Sequence, residues 1–106
     1  MEKIELSYKM NGQALIYRMP KEVDHHVAKH LCKELDLLVD SYQVKELVLD
    51  FHETEFMDSS GIGVIIGRWK TMQFRDGRMS VSNMGTRVQT MFCAAGLYKM
   101  VKVKEA

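Results

Sequence analysis

Two cysteines and one proline are all that 106 residues contain, and charge of either sign is barely in excess: fifteen Lys and Arg against fourteen Asp and Glu leave +1. Cys32 and Cys93 each fall within apolar helical patterns, where free cysteine behaves as a small buried hydrophobe, so no disulfide is expected. So small a net charge gives no broad field for steering toward phosphate polymers, and nucleic acid is not an expected partner. No stretch approaches the roughly 20 successive apolar residues of a membrane-spanning helix. Met1 to Leu6 alternates charged with apolar residues instead of forming the apolar segment of a secretory signal. The protein is therefore expected in the cytoplasm and away from membranes. Linkers, repeats and low-complexity segments are also missing, so residues 1–106 read as a single domain.

What is present is ordinary for a folded domain: 46% hydrophobic and 27% charged residues, which excludes disorder and collagen. Ile4, Leu6, Tyr8 and Met10 alternate with polar residues at the period of a half-wetted strand. Asn11-Gly12 follows as the centre of a type I′ turn, with Gln13 to Met19 as the returning strand, ended by Pro20. Asp24 is placed to cap a helix to about Asp40, with Val27, Leu31, Leu35 and Leu38 as its apolar stripe. Glu46 to Phe51 is a nearly continuous apolar strand, the pattern of a central parallel strand or of one covered by helices on both faces. A loop, His52 to Asp58, leads to a second helix from about Ser60 to Phe74, closed by Asp76-Gly77. Met79 and Val81 mark another strand. Thr86 is placed to cap a third helix that buries Val88, Met91, Phe92 and Ala95 and stops at Gly96, and Tyr98 to Val103 reads as a last strand. The expected fold is α/β, a mixed sheet of about five strands that opens with a β-hairpin and carries helices after its second, third and fourth strands.

The densest candidate site is Phe56-Met57-Asp58-Ser59-Ser60-Gly61-Ile62-Gly63, where two hydroxyls sit beside a carboxylate at the mouth of a helix. The plain reading is that a serine caps the helix. Gly61, Gly63 and Gly67 argue for more, since three glycines in one helix cost roughly 2 to 3 kcal/mol relative to alanine. Gly63 and Gly67 share a face that another backbone could approach. Gly61 beside an exposed serine would let an outside surface reach the hydroxyl.

Enzyme readings fail here. The glycine spacing is not the dinucleotide fingerprint, no Lys completes a phosphate-binding loop, and Met57-Asp58 stands where a hydrolase elbow needs glycine. A second feature is Glu22-Val23-Asp24-His25-His26, with His30 one turn beyond His26. That pair has metal-ligand spacing, but His26-Val27-Ala28-Lys29-His30 lacks a glutamate and adds a cation, so exposed histidines are expected, with no metal and no cofactor. The nine methionines read mostly as core filler.

Leu47-Val48-Leu49-Asp50-Phe51 with Phe56 to Arg68, Glu22 to His26, and Met91-Phe92 with Ala95-Gly96-Leu97-Tyr98-Lys99 together resemble the stage II sporulation anti-anti-sigma factors, which are built on the STAS domain. The resemblance covers nearly the whole chain. It implies that Ser59 is phosphorylated by a serine kinase that is also the anti-sigma factor. It further implies that the unphosphorylated form binds this partner and frees a sporulation sigma factor, and that a PP2C-type phosphatase reverses the modification. The domain would be a substrate and ligand, not an enzyme. The implied partner surface comprises Glu22, Asp24, His25, Asp58, Ser59, Ser60, Gly61 and Ile62. Two departures stand out: Pro20-Lys21 replaces a common glycine before the Glu-x-Asp stretch, and relatives usually continue into another helix after the last strand. Other readings are a STAS module of a different partner-switching stress-response or transport system, or a nucleotide-binding domain. The residues alone do not choose between Ser59 and Ser60.

Overall fold

The computed structural model describes residues 7–104. The chain runs β1 (Tyr8–Asn11), β2 (Ala14–Arg18), β3 (Glu22–Val23), α1 (His25–Ser41), β4 (Glu46–Asp50), β5 (Phe56–Met57), α2 (Ser59–Phe74), β6 (Arg78–Ser82), α3 (Thr86–Ala94), a single 3-10 turn (Leu97–Lys99) and β7 (Lys102–Lys104). The main sheet has five strands in the order β1-β2-β4-β6-β7, antiparallel only at the opening hairpin. The expected mixed sheet, hairpin and three helices are all present. Ile4 and Leu6 of the expected first strand lie outside the described residues.

The strand order decides how the layers stack. Each parallel connection steps one strand further in the same direction, and right-handed crossovers taken repeatedly in one direction put every helix on the same side. Leu15, Tyr17, Leu47, Leu49, Met79 and Val81 face that side and join Leu31, Leu35, Ile65, Met72, Val88 and Phe92 in one core. Ile16, Val48 and Ser80, of opposite strand parity, face away from it. Among the described residues helices therefore cover one face only, and β4 reads as continuously apolar because it is central. Val48 is buried on the uncovered face.

Several local expectations are corrected. The hairpin turn is centred on Gly12-Gln13, not Asn11-Gly12: Asn11 pairs with Ala14, and only Gly12 has positive φ (62°). A turn with glycine first needs a single left-handed residue, as in type II′, and leaves Asn11 in the strand. The third helix starts on Gly85 with no side-chain cap, and Thr86 is its first helical residue. Ala95 and Cys93 are exposed, because α3 is short and turns only Val88 and Phe92 fully inward. Tyr98 and Lys99 belong to the 3-10 turn that follows left-handed Gly96, so the last strand begins only at Lys102.

Candidate functional site

Two short strands that the sequence does not announce build the site. β3 and β5 pair in parallel, Glu22 with Phe56 and Val23 with Met57, as a sheet separate from the main one. Val23 and Met57 point into the core, so Glu22 and Phe56, one residue earlier on each strand, face outward. Pro20-Lys21 fixes this register. The Pro20 carbonyl accepts the Thr54 hydroxyl at 2.8 Å, the Lys21 carbonyl accepts the amides of Glu55 (2.8 Å) and Phe56 (3.1 Å), and Val23 O accepts the Asp58 amide at 3.1 Å. Pro20-Lys21 is thus an anchor for the serine loop.

One residue beyond each paired strand stands an aspartate that caps a helix. Asp24 Oδ1 accepts the Val27 amide at 2.9 Å, and Asp58 Oδ1 accepts the Ser60 amide at 2.8 Å. Their backbones match closely, φ −102° and ψ −177° at Asp24 against φ −98° and ψ −173° at Asp58. The cap of α2 is therefore the aspartate, not a serine. Ser59 and Ser60 are the first two helical residues, and relieved of capping they keep their hydroxyls for other use.

The expected site residues come together at this end. Glu22, His25 and Ser59 are exposed, and Asp24, Asp58, Ser60 and Ile62 are partly so. Gly61 is buried and serves the site from inside: a Cβ there would collide with Met57 Cγ and Sδ and lie 3.3 Å from Val23 Cγ1. Its missing side chain lets α2 start directly above the β3–β5 pair. Gly63 and Gly67 have nothing within 4 Å of a built Cβ, so no backbone approaches them. Gly63 instead lines an open groove between α1 and α2 with Ser60, Val64, His25, Lys29 and Cys32. His26 and His30 are exposed as expected. Among the described residues, no group of three or more His, Cys, Asp and Glu is placed to hold a metal ion, and no helix is long and apolar enough to cross a membrane.

Phe56, 41% exposed, is a residue that the sequence reading left out of the surface. Its outward direction follows from Met57 facing inward, but two residues of strand are too short for a period to show.

A five-stranded sheet covered on one face, with two capped helix starts held side by side by a small parallel pair, defines the class. The model of the STAS domain matches residues 5–106, and the chain belongs to the STAS-domain family. Over 100 residues it is 30% identical to the anti-sigma F factor antagonist of Paenibacillus polymyxa, covering 94% of this chain and 86% of that one. The structure of the anti-sigma factor antagonist SpoIIAA in its unphosphorylated form matches with a TM-score of 0.83 and 25% identity, covering 93% of this chain and 85% of that one. SpoIIAA of Bacillus in its phosphorylated form matches in fold, with a TM-score of 0.76 at 24% identity and coverage of 93% and 88%. Family, fold and sporulation type are thus as the sequence resemblance implied.

Proposed function

We propose that this protein is a cytoplasmic anti-sigma factor antagonist that works by partner switching. In its unphosphorylated form it binds an anti-sigma factor that is also a serine kinase, and a sporulation sigma factor is released. Phosphorylation of Ser59 ends the binding, and a PP2C-type phosphatase restores it. The observation that carries this reading is the β3–β5 pairing, which sets Glu22, Asp24 and His25 beside Asp58, Ser59 and Ser60 with the Ser59 side chain exposed. Ile62 and the outward Phe56 extend the same partner surface, and Gly61 shapes it from beneath.

The chemistry of the switch follows from the position of Ser59. A phosphoserine brings about −1.5 to −2 charges at pH 7. At the first helical residue the helix dipole offsets part of the repulsion from Asp58, by about 0.3 to 1 kcal/mol, so the domain stays folded. A closely fitted partner would instead have to bury that charge without counterparts, which costs several kcal/mol. A loss of about 4 kcal/mol weakens binding roughly a thousandfold. Asp24 offers a carboxylate to a basic group of the kinase while one of its oxygens holds the helix.

The test is intact and peptide mass spectrometry after incubation with ATP and the anti-sigma kinase of the same genome, for the natural chain, Ser59→Ala and Ser60→Ala. One phosphate, lost only in Ser59→Ala, is expected. No phosphate in any sample, with the kinase active on another substrate, would overturn the proposal.

A further inference from the structure

The face of the sheet that no helix covers among the described residues carries its own concave site, remote in kind from the serine surface. Arg18, Asp50, Ser82 and Lys104 are in register across β2, β4, β6 and β7, and each is the last residue of its strand. The neighbouring row on the same face is Lys9, Ile16, Val48, Ser80 and Lys102. Between these rows lies a cleft of about 430 Å³, with Ile16 and Val48 in its lining and Lys9, Arg18, Ser82 and Lys104 around them. That volume is within the roughly 300 to 1,000 Å³ of small-molecule sites.

Its charge selects the occupant. Among the described residues the lining holds one carboxylate, Asp50, whose Oδ1 accepts the His52 amide at 2.9 Å and the Asn83 carboxamide at 3.0 Å; these neutral donors orient it without cancelling its charge, which stands against the three cations Lys9, Arg18 and Lys104. Asn83 makes that contact from a left-handed backbone (φ 56°), which asparagine tolerates better than most residues. Arg18 has Glu53 at 3.5 Å, an exposed pair, and Lys104 has Glu46 at 3.1 Å, whose side chain is only one-quarter exposed, and a ligand anion competes with both carboxylates for these cations. Lys102 and Arg78 lie on the same face beyond the cleft, with Glu46 opposite Arg78 in the same row. Beside the cleft the Ser80 hydroxyl is buried with no hydrogen-bond partner, a polar group under the aliphatic covering of this face.

We infer that this cleft binds a small organic anion, a phosphate or carboxylate on a compact apolar body, with Lys9, Arg18 and Lys104 facing the charge and Ile16 and Val48 the apolar part. A flat macromolecular partner would not need the concavity, and an inorganic ion would not use the apolar floor. The inference does not depend on the sigma-factor reading.

The probe is phenyl phosphate, titrated into the full chain and followed by amide NMR shifts, with inorganic phosphate and phenol as separate arms. Saturable shifts confined to Lys9, Ile16, Arg18, Val48, Asn83 and Lys104 are expected. Lys9→Glu and Lys104→Glu should each weaken the affinity by roughly tenfold, and Lys33→Glu on α1 should leave it unchanged. Inorganic phosphate binding as tightly as phenyl phosphate would overturn the inference. So would shifts spread over all lysines, shifts centred on Ser59, or no saturable shift at millimolar ligand.

Discussion

The mouths of α1 and α2 are built alike, and the mouth of α3 is built differently. Asp24 and Asp58 each hold an amide of the first turn, whereas Gly85 has no side chain to offer and α3 begins without a side-chain hydrogen bond. The two capped mouths are those brought together by β3 and β5. A carboxylate there does two jobs, ending the strand-to-helix turn and giving the surface its negative sign. A glycine at α3 does neither.

Adding charge is the strongest way to break this comparison. Phosphate on Ser59 is expected to weaken binding to the kinase about a thousandfold, and Ser59→Asp, with one charge and planar geometry, should weaken it less but clearly. Thr86→Glu puts charge at the α3 mouth and should leave that affinity unchanged, which calorimetric titration of both variants would show. The next largest effect is steric. Gly61→Ala drives a Cβ into Met57 and should destabilise by about 1 to 3 kcal/mol, whereas Gly63→Ala, in open space, should gain about 0.5 to 1 kcal/mol; urea unfolding separates the two signs. Asp58→Ala removes a cap and should cost about 1 kcal/mol, while Asp24→Asn keeps one and should change stability little yet weaken kinase binding if the carboxylate meets a basic group. The smallest effect runs the other way: Gly85→Asp supplies the cap that α3 lacks and should gain a few tenths of a kcal/mol, seen as a slightly higher Tm.

The long elements were legible because their periods are long enough to register. Leu31, Leu35 and Leu38 mark α1, whereas in β2 Leu15, Ile16 and Tyr17 are all apolar, and that strand was legible as the return from the Asn11-Gly12 turn. The Asp24 cap was legible because aspartate directly precedes the apolar stripe. β3 and β5 were not, since two residues have no period and their pairing is set by carbonyls at Pro20 and Lys21, which a sequence does not display. Gly61 looked open for the same reason: its neighbours Met57 and Val23 meet it only once the two strands pair. Reading Asp58-Ser59-Ser60 as a serine cap failed because aspartate and serine both cap well, and only the backbone shows which residue stands outside the helix. The proposal that Ser59 accepts a phosphate comes from family likeness; the fold adds its exposure and its place at the start of α2.

The grip of Lys21 and Val23 on Glu55, Phe56 and Asp58 also bears on how quickly and tightly a partner can bind. A recognition surface made of two chain segments far apart in sequence normally loses conformational entropy when a partner first orders it. Here both segments are hydrogen-bonded to each other before any partner arrives, so little of the docking energy goes into arranging the backbone. A preassembled surface of this kind makes affinity depend on a few side chains, and a change confined to one hydroxyl is then enough to move the complex from bound to free.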